Sequence, residues 1–200
     1  MGSHYYSNKP SVESNRKDWA FELKGKTFRF YSDSGVFSKN EVDFGSRLLI
    51  ESFEATDVDV NILDMGCGYG PIGLALAASY PKAEITMVDV NERAIQLSKD
   101  NARRNQIANV DIFQSNLFEN VTKSNYHAIL TNPPIRAGKD VVHAIFEQAH
   151  THLLPGGELW IVIQKKQGAP SAIEKLESIF DEVDVVERKK GYFIIRSKKS

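Results

Sequence analysis

Val60-Asn-Ile-Leu-Asp-Met-Gly-Cys-Gly-Tyr-Gly70 decides the fold. A short apolar run from Val60 to Leu63 reads as a strand. It leads into the carboxylate of Asp64 and then Gly66, Gly68 and Gly70 at every second position. Glycines let a chain turn sharply and let a ligand approach the backbone closely. Ile72 to Ser79 has helical patterning and ends before Pro81. The next strand, Glu84-Ile-Thr-Met-Val88, runs into Asp89, nineteen residues after Gly70. In an open α/β sheet, ligands bind outside the carboxyl ends of the strands, where strand order reverses. A carboxylate at Asp89 can there accept both hydroxyls of a ribose.

The alternation continues downstream. Glu92 to Arg104 reads as a helix with Asn91 as its N-cap. Asn109–Phe113 and His127–Thr131 read as strands. Lys139 to Leu153 reads as a long helix stopped by Pro155-Gly156-Gly157, and Glu158–Ile163 as a buried strand. Ser171 to Phe180 is helical, and Val183–Glu187 with Tyr192–Ile195 form a terminal antiparallel pair. Strands alternating with helices predict an α/β fold, a mostly parallel sheet with helices on both faces. Upstream, Trp19, Phe21 and Leu23, then Phe28 and Phe30, alternate around a Gly25-Lys26 turn and predict a hairpin. Residues 41–53 predict a helix. Residues 1–17 are polar and read as a flexible arm, which leaves 18–200 as one domain.

Gly68-Tyr-Gly70-Pro-Ile-Gly73 also matches the dinucleotide fingerprint. Charge argues against a pyrophosphate. Asp64 would repel it, and Pro71 removes an amide donor from the helix start that would hold it. A ligand with a sulfonium, an ammonium and a ribose fits better. The plainer alternative is a tight turn with no ligand at all.

Asn132-Pro-Pro-Ile135 ends the fourth strand and should open onto the same crevice. Pro133 and Pro134 lack backbone donors and have fixed φ. The stretch therefore offers carbonyls beside the Asn132 amide oxygen. Such a cluster accepts hydrogen bonds from an amino group and is a poor base. It suits a planar amine attacking a methyl group in line, by orientation and by electrostatics aimed at developing positive charge. The proton can leave to water afterwards.

The glycine loop followed by an acidic strand end resembles the class I S-adenosylmethionine-dependent methyltransferases. The resemblance implies a Rossmann-like seven-stranded sheet whose last strand is antiparallel. It implies S-adenosylmethionine as cofactor, with Asp64, Gly66, Cys67, Gly68 and Gly70 at its methionine part. It places Asp89 and Val90 at the ribose, Asn116 and Leu117 beside adenine, and Asn132 next to the methyl group. Asn-Pro-Pro is similar to the motif of methyltransferases acting on amines of adenine, cytosine, guanine or glutamine. Those enzymes usually carry an aromatic fourth residue, where this chain has Ile135. Phe37 is the candidate substitute for stacking. With Phe37-Ser-Lys-Asn-Glu-Val-Asp43-Phe-Gly45-Ser46 and Leu154-Pro-Gly-Gly-Glu-Leu-Trp160, the chain resembles the small-domain ribosomal RNA guanine methyltransferases over about residues 19–197. That family implies Asn132, Pro133, Pro134 and Ile135 as the catalytic set. It implies Phe37, Ser38 and Asp43 to Ser46 around cofactor and base, the guanine 2-amino group as target, and ribosomal RNA or the small subunit as partner. Larger members carry an additional N-terminal domain with no counterpart here, so substrate recognition is expected to be reduced or supplied otherwise. Methylation of another base or of a protein glutamine, and a non-catalytic cofactor- or RNA-binding module, are the alternatives.

The formal net charge of −1 means that the overall field does not drive polyanion binding, so RNA contact needs a local patch. Arg136, Lys139, Lys165 and Lys166 sit near predicted strand ends and are the candidate phosphate contacts. Arg188, Lys189, Lys190, Arg196, Lys198 and Lys199 form a second basic group, read equally well as solvated surface. The single cysteine, Cys67, excludes an internal disulfide and predicts a reducing, cytoplasmic setting. It reads as a small residue in a tight turn rather than a nucleophile. His150 and His152 diverge on a helix and no ligand set completes them, so no metal is expected. No apolar run is long enough for a membrane span. Oligomeric state is left open.

Overall fold

The computed structural model describes residues 9–37 and 40–200. A hairpin of β1 (Lys17–Leu23) and β2 (Lys26–Ser32) precedes helix α1 (Phe44–Ser52). Then follow β3 (Asn61–Met65), α2 (Pro71–Ser79), β4 (Glu84–Asp89), α3 (Glu92–Arg104), β5 (Val110–Gln114) and β6 (Tyr126–Thr131). The chain ends with α4 (Lys139–His152), β7 (Leu153–Gln164), α5 (Ala169–Glu177), β8 (Glu182–Lys189) and β9 (Tyr192–Lys198). The seven strands β3–β9 form one sheet in the order β5-β4-β3-β6-β7-β9-β8. All neighbours are parallel except β9, which is antiparallel to both β7 and β8. The expected sheet, with its last strand antiparallel, is thus present. Strand order reverses between β3 and β6, so the glycine loop and Asn132 flank one crevice.

Both strand parities are apolar, because both faces are covered. Ile62, Ile85, Met87, Leu130 and Val162 pack under the hairpin, α1, α2 and α3. Leu63, Val88, Ile129, Ile161 and Ile163 pack under α4 and α5. Pro71 to Ala77 of α2 are all buried. Gly73 lets this helix approach the sheet, since a Cβ there would lie 2.6 Å from Met87 Cγ.

The hairpin turns at Lys24-Gly25, both with positive φ of 49° and 75°, the conformation that matches strand twist. Its edge is covered in an unusual way. The Asn101 amide accepts from Tyr31 N at 2.7 Å and donates to Tyr31 O at 3.0 Å. Asn105 does the same with Arg29 N and O at 3.0 and 2.9 Å. Four residues of helix advance about 6 Å and two of strand about 6.6 Å, so two side-chain amides stand in for a neighbouring strand. Just upstream, Ser14 Oγ and Asn15 N both donate to Asp33 at 2.6 Å, and Arg16 pairs with Asp100 at 2.6 Å.

One boundary differs from expectation. Pro155-Gly156-Gly157 does not stop α4; it lies inside β7, where the register against β6 shifts. The helix ends at His152 because Lys199 Nζ donates to His150 O and Leu153 O at 2.8 and 3.0 Å, and because Leu153 already pairs with Tyr126. Gly73→Ala is expected to lower Tm by roughly 2–10 °C through overpacking against Met87. Thermal unfolding measures this, and an unchanged Tm would show that Met87 yields without cost.

Candidate active site

The loop after β3 is shaped by two carboxylates, one fully buried and one half-buried at the cavity wall. Asp64 is fully buried, and its Oδ2 accepts from Gly73 N at 2.9 Å. That amide is one of the unpaired donors in the first turn of α2, so Asp64 caps the helix from a distance. Its Oδ1 has no partner among the described residues. Burial pushes the Asp64 carboxyl up to about 7; the Gly73 N–H opposes this and the nearby Asp89 charge adds to it. Asp89 Oδ2 accepts from Gly68 N and Oδ1 from Asn91 N, each at 2.9 Å. Burial raises its pKa as well, against those two amides. Tyr69, inside the loop, packs on Trp19 and Phe30 of the hairpin at 5.6 and 5.5 Å, and Asn101 Nδ2 donates to Tyr69 O at 2.8 Å.

A cavity of about 620 Å³, open mouth included, lies against this loop. Gly66, Gly68, Asp89, Val90, Leu117 and Asn132 line it, as do Val36, Phe37, Asn91, Ser115 and Pro134. A Cβ added at Gly66 or Gly68 would meet no atom within 4 Å and would project into open space, so these glycines keep the cradle open. Asp89 is the only charged lining residue among those described. That suits a cationic, phosphate-free ligand with a ribose, such as S-adenosylmethionine, and disfavours a dinucleotide. The loop over the cavity is pinned to the start of α3. Asn91 caps that helix and its Nδ2 donates to Gly35 O at 2.9 Å, while Arg93 Nη1 donates to Ser34 O at 2.6 Å.

Four residues expected at the cofactor do not line this cavity. Asp64 faces the helix start, and Gly70 turns the chain into α2 with φ 108°. Cys67 is buried, its thiol pushed well up chiefly by burial, with Sγ 3.6 Å from Ser98 Oγ. Asn116 is exposed, and its neighbours Ser115 and Leu117 line the cavity instead. Ser38 lies outside the described residues.

A second cavity opens beside the first. Phe37, Asp43, Asn132, Pro133, Ile135, Arg136, Gln164, Gln167 and Tyr192 line it. The two share Phe37 and Asn132. Asn132 Nδ2 donates to Asp43 Oδ2 at 3.3 Å and to Ser46 Oγ at 3.1 Å. A carboxylate only accepts, so the amide is fixed with its oxygen free to accept from another group. Asp43 is itself the N-cap of α1, accepting from Ser46 N at 3.0 Å. The Pro133 carbonyl accepts from Ile135 N at 2.9 Å and keeps one lone pair. Lys139 lines an adjoining cavity with Ile135, His143 and Gln167. Lys165 and Lys166 are exposed in the turn after β7. Gln164 and Tyr192 escaped the sequence reading, although a polar residue ending a buried parallel strand is itself a signal.

The second basic group divides. Arg196 pairs with Asp184 and Glu158 at 3.1 and 3.6 Å, and Lys199 caps α4. Arg188 and Lys190 lie instead at the carboxyl edge, over Phe193 and Phe44, with Arg47 also over Phe44. His150 packs on Phe180 and His152 on Phe118. Among the described residues no helix is long and apolar enough to cross a membrane.

The model of the methyltransferase small domain family matches residues 27–196. The chain belongs to that family. This methyltransferase is 66% identical to the uncharacterized protein YbxB of Bacillus subtilis (strain 168) over the full length of both. It is 39% identical to ribosomal RNA small subunit methyltransferase C of Pasteurella multocida (strain Pm70), over 67% of this chain and 41% of that protein. Among solved structures it resembles a T. thermophilus 16S rRNA N2 methyltransferase in complex with AdoMet and guanosine. That match has a TM-score of 0.83 at 25% identity and covers 96% of this chain and 52% of that one. The methyltransferase spans about half the length of these ribosomal RNA methyltransferases. Family membership bears out S-adenosylmethionine as the cofactor.

Two outcomes follow from the carboxylates. An acid whose pKa is higher folded than unfolded lends stability below its unfolded value, near 3.9, and loses it as pH rises through about 7. Asp64→Asn keeps an oxygen for Gly73 N–H, and is expected to flatten the decline of Tm between about pH 4 and 8. The upper bound is on the order of 4 kcal/mol. An unchanged slope would assign the titration elsewhere. Asp89→Ala is expected to weaken S-adenosylmethionine binding by about tenfold or more in calorimetry; an unaltered Kd would defeat the ribose assignment.

Proposed function

We propose that this methyltransferase transfers a methyl group from S-adenosylmethionine to the 2-amino group of a guanine in small-subunit ribosomal RNA. The observation that carries the reading is the meeting of two cavities at Asn132, whose amide is locked with its oxygen outward. The relatives named for ribosomal RNA methylation support the substrate class.

Asp89 would hold the ribose hydroxyls, and Gly66 and Gly68 would let the methionine part lie against the backbone. The cofactor supplies an electrophilic methyl on a sulfonium. The Asn132 oxygen and the free lone pair of the Pro133 carbonyl accept hydrogens from the target amine, which aims its nitrogen lone pair at that methyl. They are weak bases, so the proton leaves to water after transfer. Phe37 is half exposed between the cavities and, with Ile135, flanks the place of the base. Such a base must be unstacked to enter. Arg136, Lys165 and Lys166, joined by Arg47, Arg188 and Lys190, offer phosphate contacts around this mouth despite the net charge of −1.

Mass-spectrometric mapping of methylated nucleosides in ribosomal RNA, with and without the protein, tests the reading. One N2-methylguanosine in small-subunit RNA is expected to depend on it, and identical maps would overturn it. Asn132→Ala is expected to retain cofactor binding while losing transfer by about a hundredfold or more. Unchanged transfer would remove Asn132 from the mechanism.

A further inference from the structure

The second cavity carries more information than the need for an amine. Three neighbouring strands bring one polar side chain each to its wall. Asn132 follows β6, Gln164 ends β7, and Tyr192 begins β9 as the register partner of Gln164. The strands lie side by side in the order β6-β7-β9. Asn132 presents an oxygen, because Asp43 and Ser46 take its amide hydrogens. Gln164 Nε2 donates to the Tyr192 hydroxyl at 2.7 Å, which leaves Gln164 Oε1 as an acceptor. The hydroxyl, having accepted, keeps its own hydrogen to donate. The wall therefore reads acceptor, acceptor, donor.

Tyr192 is held in place for this. Its ring lies against Gly45, where a Cβ would come within 3.0 Å of Tyr192 Cε1, and packs on Phe44 at 5.4 Å. Gly45 thus keeps α1 close enough to seat the ring.

Resting on the methyl-transfer reading above, we infer that Gln164 and Tyr192 select guanine by reading its N1–H and O6 while Asn132 holds the 2-amino group. Guanine presents donor, donor, acceptor across N2, N1 and O6, the complement of the wall in the same order. Adenine and cytosine each place a ring-nitrogen acceptor beside their amine. That atom would face the Gln164 oxygen, leaving two acceptors opposed and desolvated. Gln164 is the discriminating residue and Tyr192 both orients it and reads O6.

Calorimetry on the protein loaded with S-adenosylhomocysteine tests this without knowledge of the RNA site. Guanosine is expected to bind at least tenfold tighter than 2-aminopurine riboside, which keeps the 2-amino group but lacks N1–H and O6. Gln164→Leu and Tyr192→Phe are each expected to shrink that ratio threefold or more, with S-adenosylhomocysteine affinity unchanged as evidence of an intact fold. Gln164→Glu keeps an acceptor for N1–H but cannot donate to the Tyr192 hydroxyl, which must then turn its hydrogen to the carboxylate, so it is expected to recover only the N1–H share of the preference. A ratio that survives both Gln164→Leu and Tyr192→Phe, while the wild-type protein methylates guanine in ribosomal RNA, overturns the base-reading roles alone. A wild-type preference for adenosine over guanosine overturns the methyl acceptor proposed above as well.

Discussion

A carboxyl group with no exposure holds the first-turn amide of α2, and the ligand-binding end of the molecule depends on that bond. Asp64 fixes where the helix starts relative to the end of β3. The five residues between Met65 and Pro71 then have little freedom. They place Gly68 N on Asp89 and Tyr69 among the hairpin aromatics. The arrangement costs stability near neutral pH, since burial disfavours the charged form. The fold tolerates that cost at a turn where the backbone must be both sharp and rigid.

Much of the sheet was legible because its signals are local. Alternating strands and helices, the Gly25 turn, Asn91 as a cap and the order of motifs all follow from neighbouring residues. The misread features depend on distant partners. Pro155-Gly156-Gly157 looked like a helix stop, but the carbonyls at the end of α4 are taken by Lys199, 49 residues from His150. Asp64 was legible as a charge near the loop, yet nothing local shows whether such a charge faces a ligand or an amide. Likewise, the motif named Asn132, but the amide's orientation is set by Asp43 and Ser46, 89 and 86 residues away. The terminal basic group reads as one run and divides in space, because Arg188 and Lys190 lie at the turn end of the antiparallel pair and Arg196 and Lys199 toward its other end.

The two cavities have different chemical tempers. The first is apolar with one carboxylate, roofed by a loop that Asn91 and Arg93 tie down. The second mixes apolar walls with polar groups, Asp43, Asn132, Gln164, Tyr192 and the cationic Arg136 among them. Asn132 belongs to both, and the same Asp43 that orients it also starts α1. Any shift of α1 is therefore felt at the shared wall and, through Gly45, at Tyr192.

The side-chain clamp on the hairpin bears on the order of events during synthesis. The apolar face carrying Trp19, Phe28 and Phe30 is made early, but the amides that close its edge come from residues 101 and 105. For some seventy residues of translation the nascent hairpin therefore has a greasy face and an open edge, the combination that invites wrong pairing. Its docking is a long-range, entropically slow step. Because Tyr69 belongs to the same aromatic cluster, the glycine loop reaches its final shape only when that step is complete.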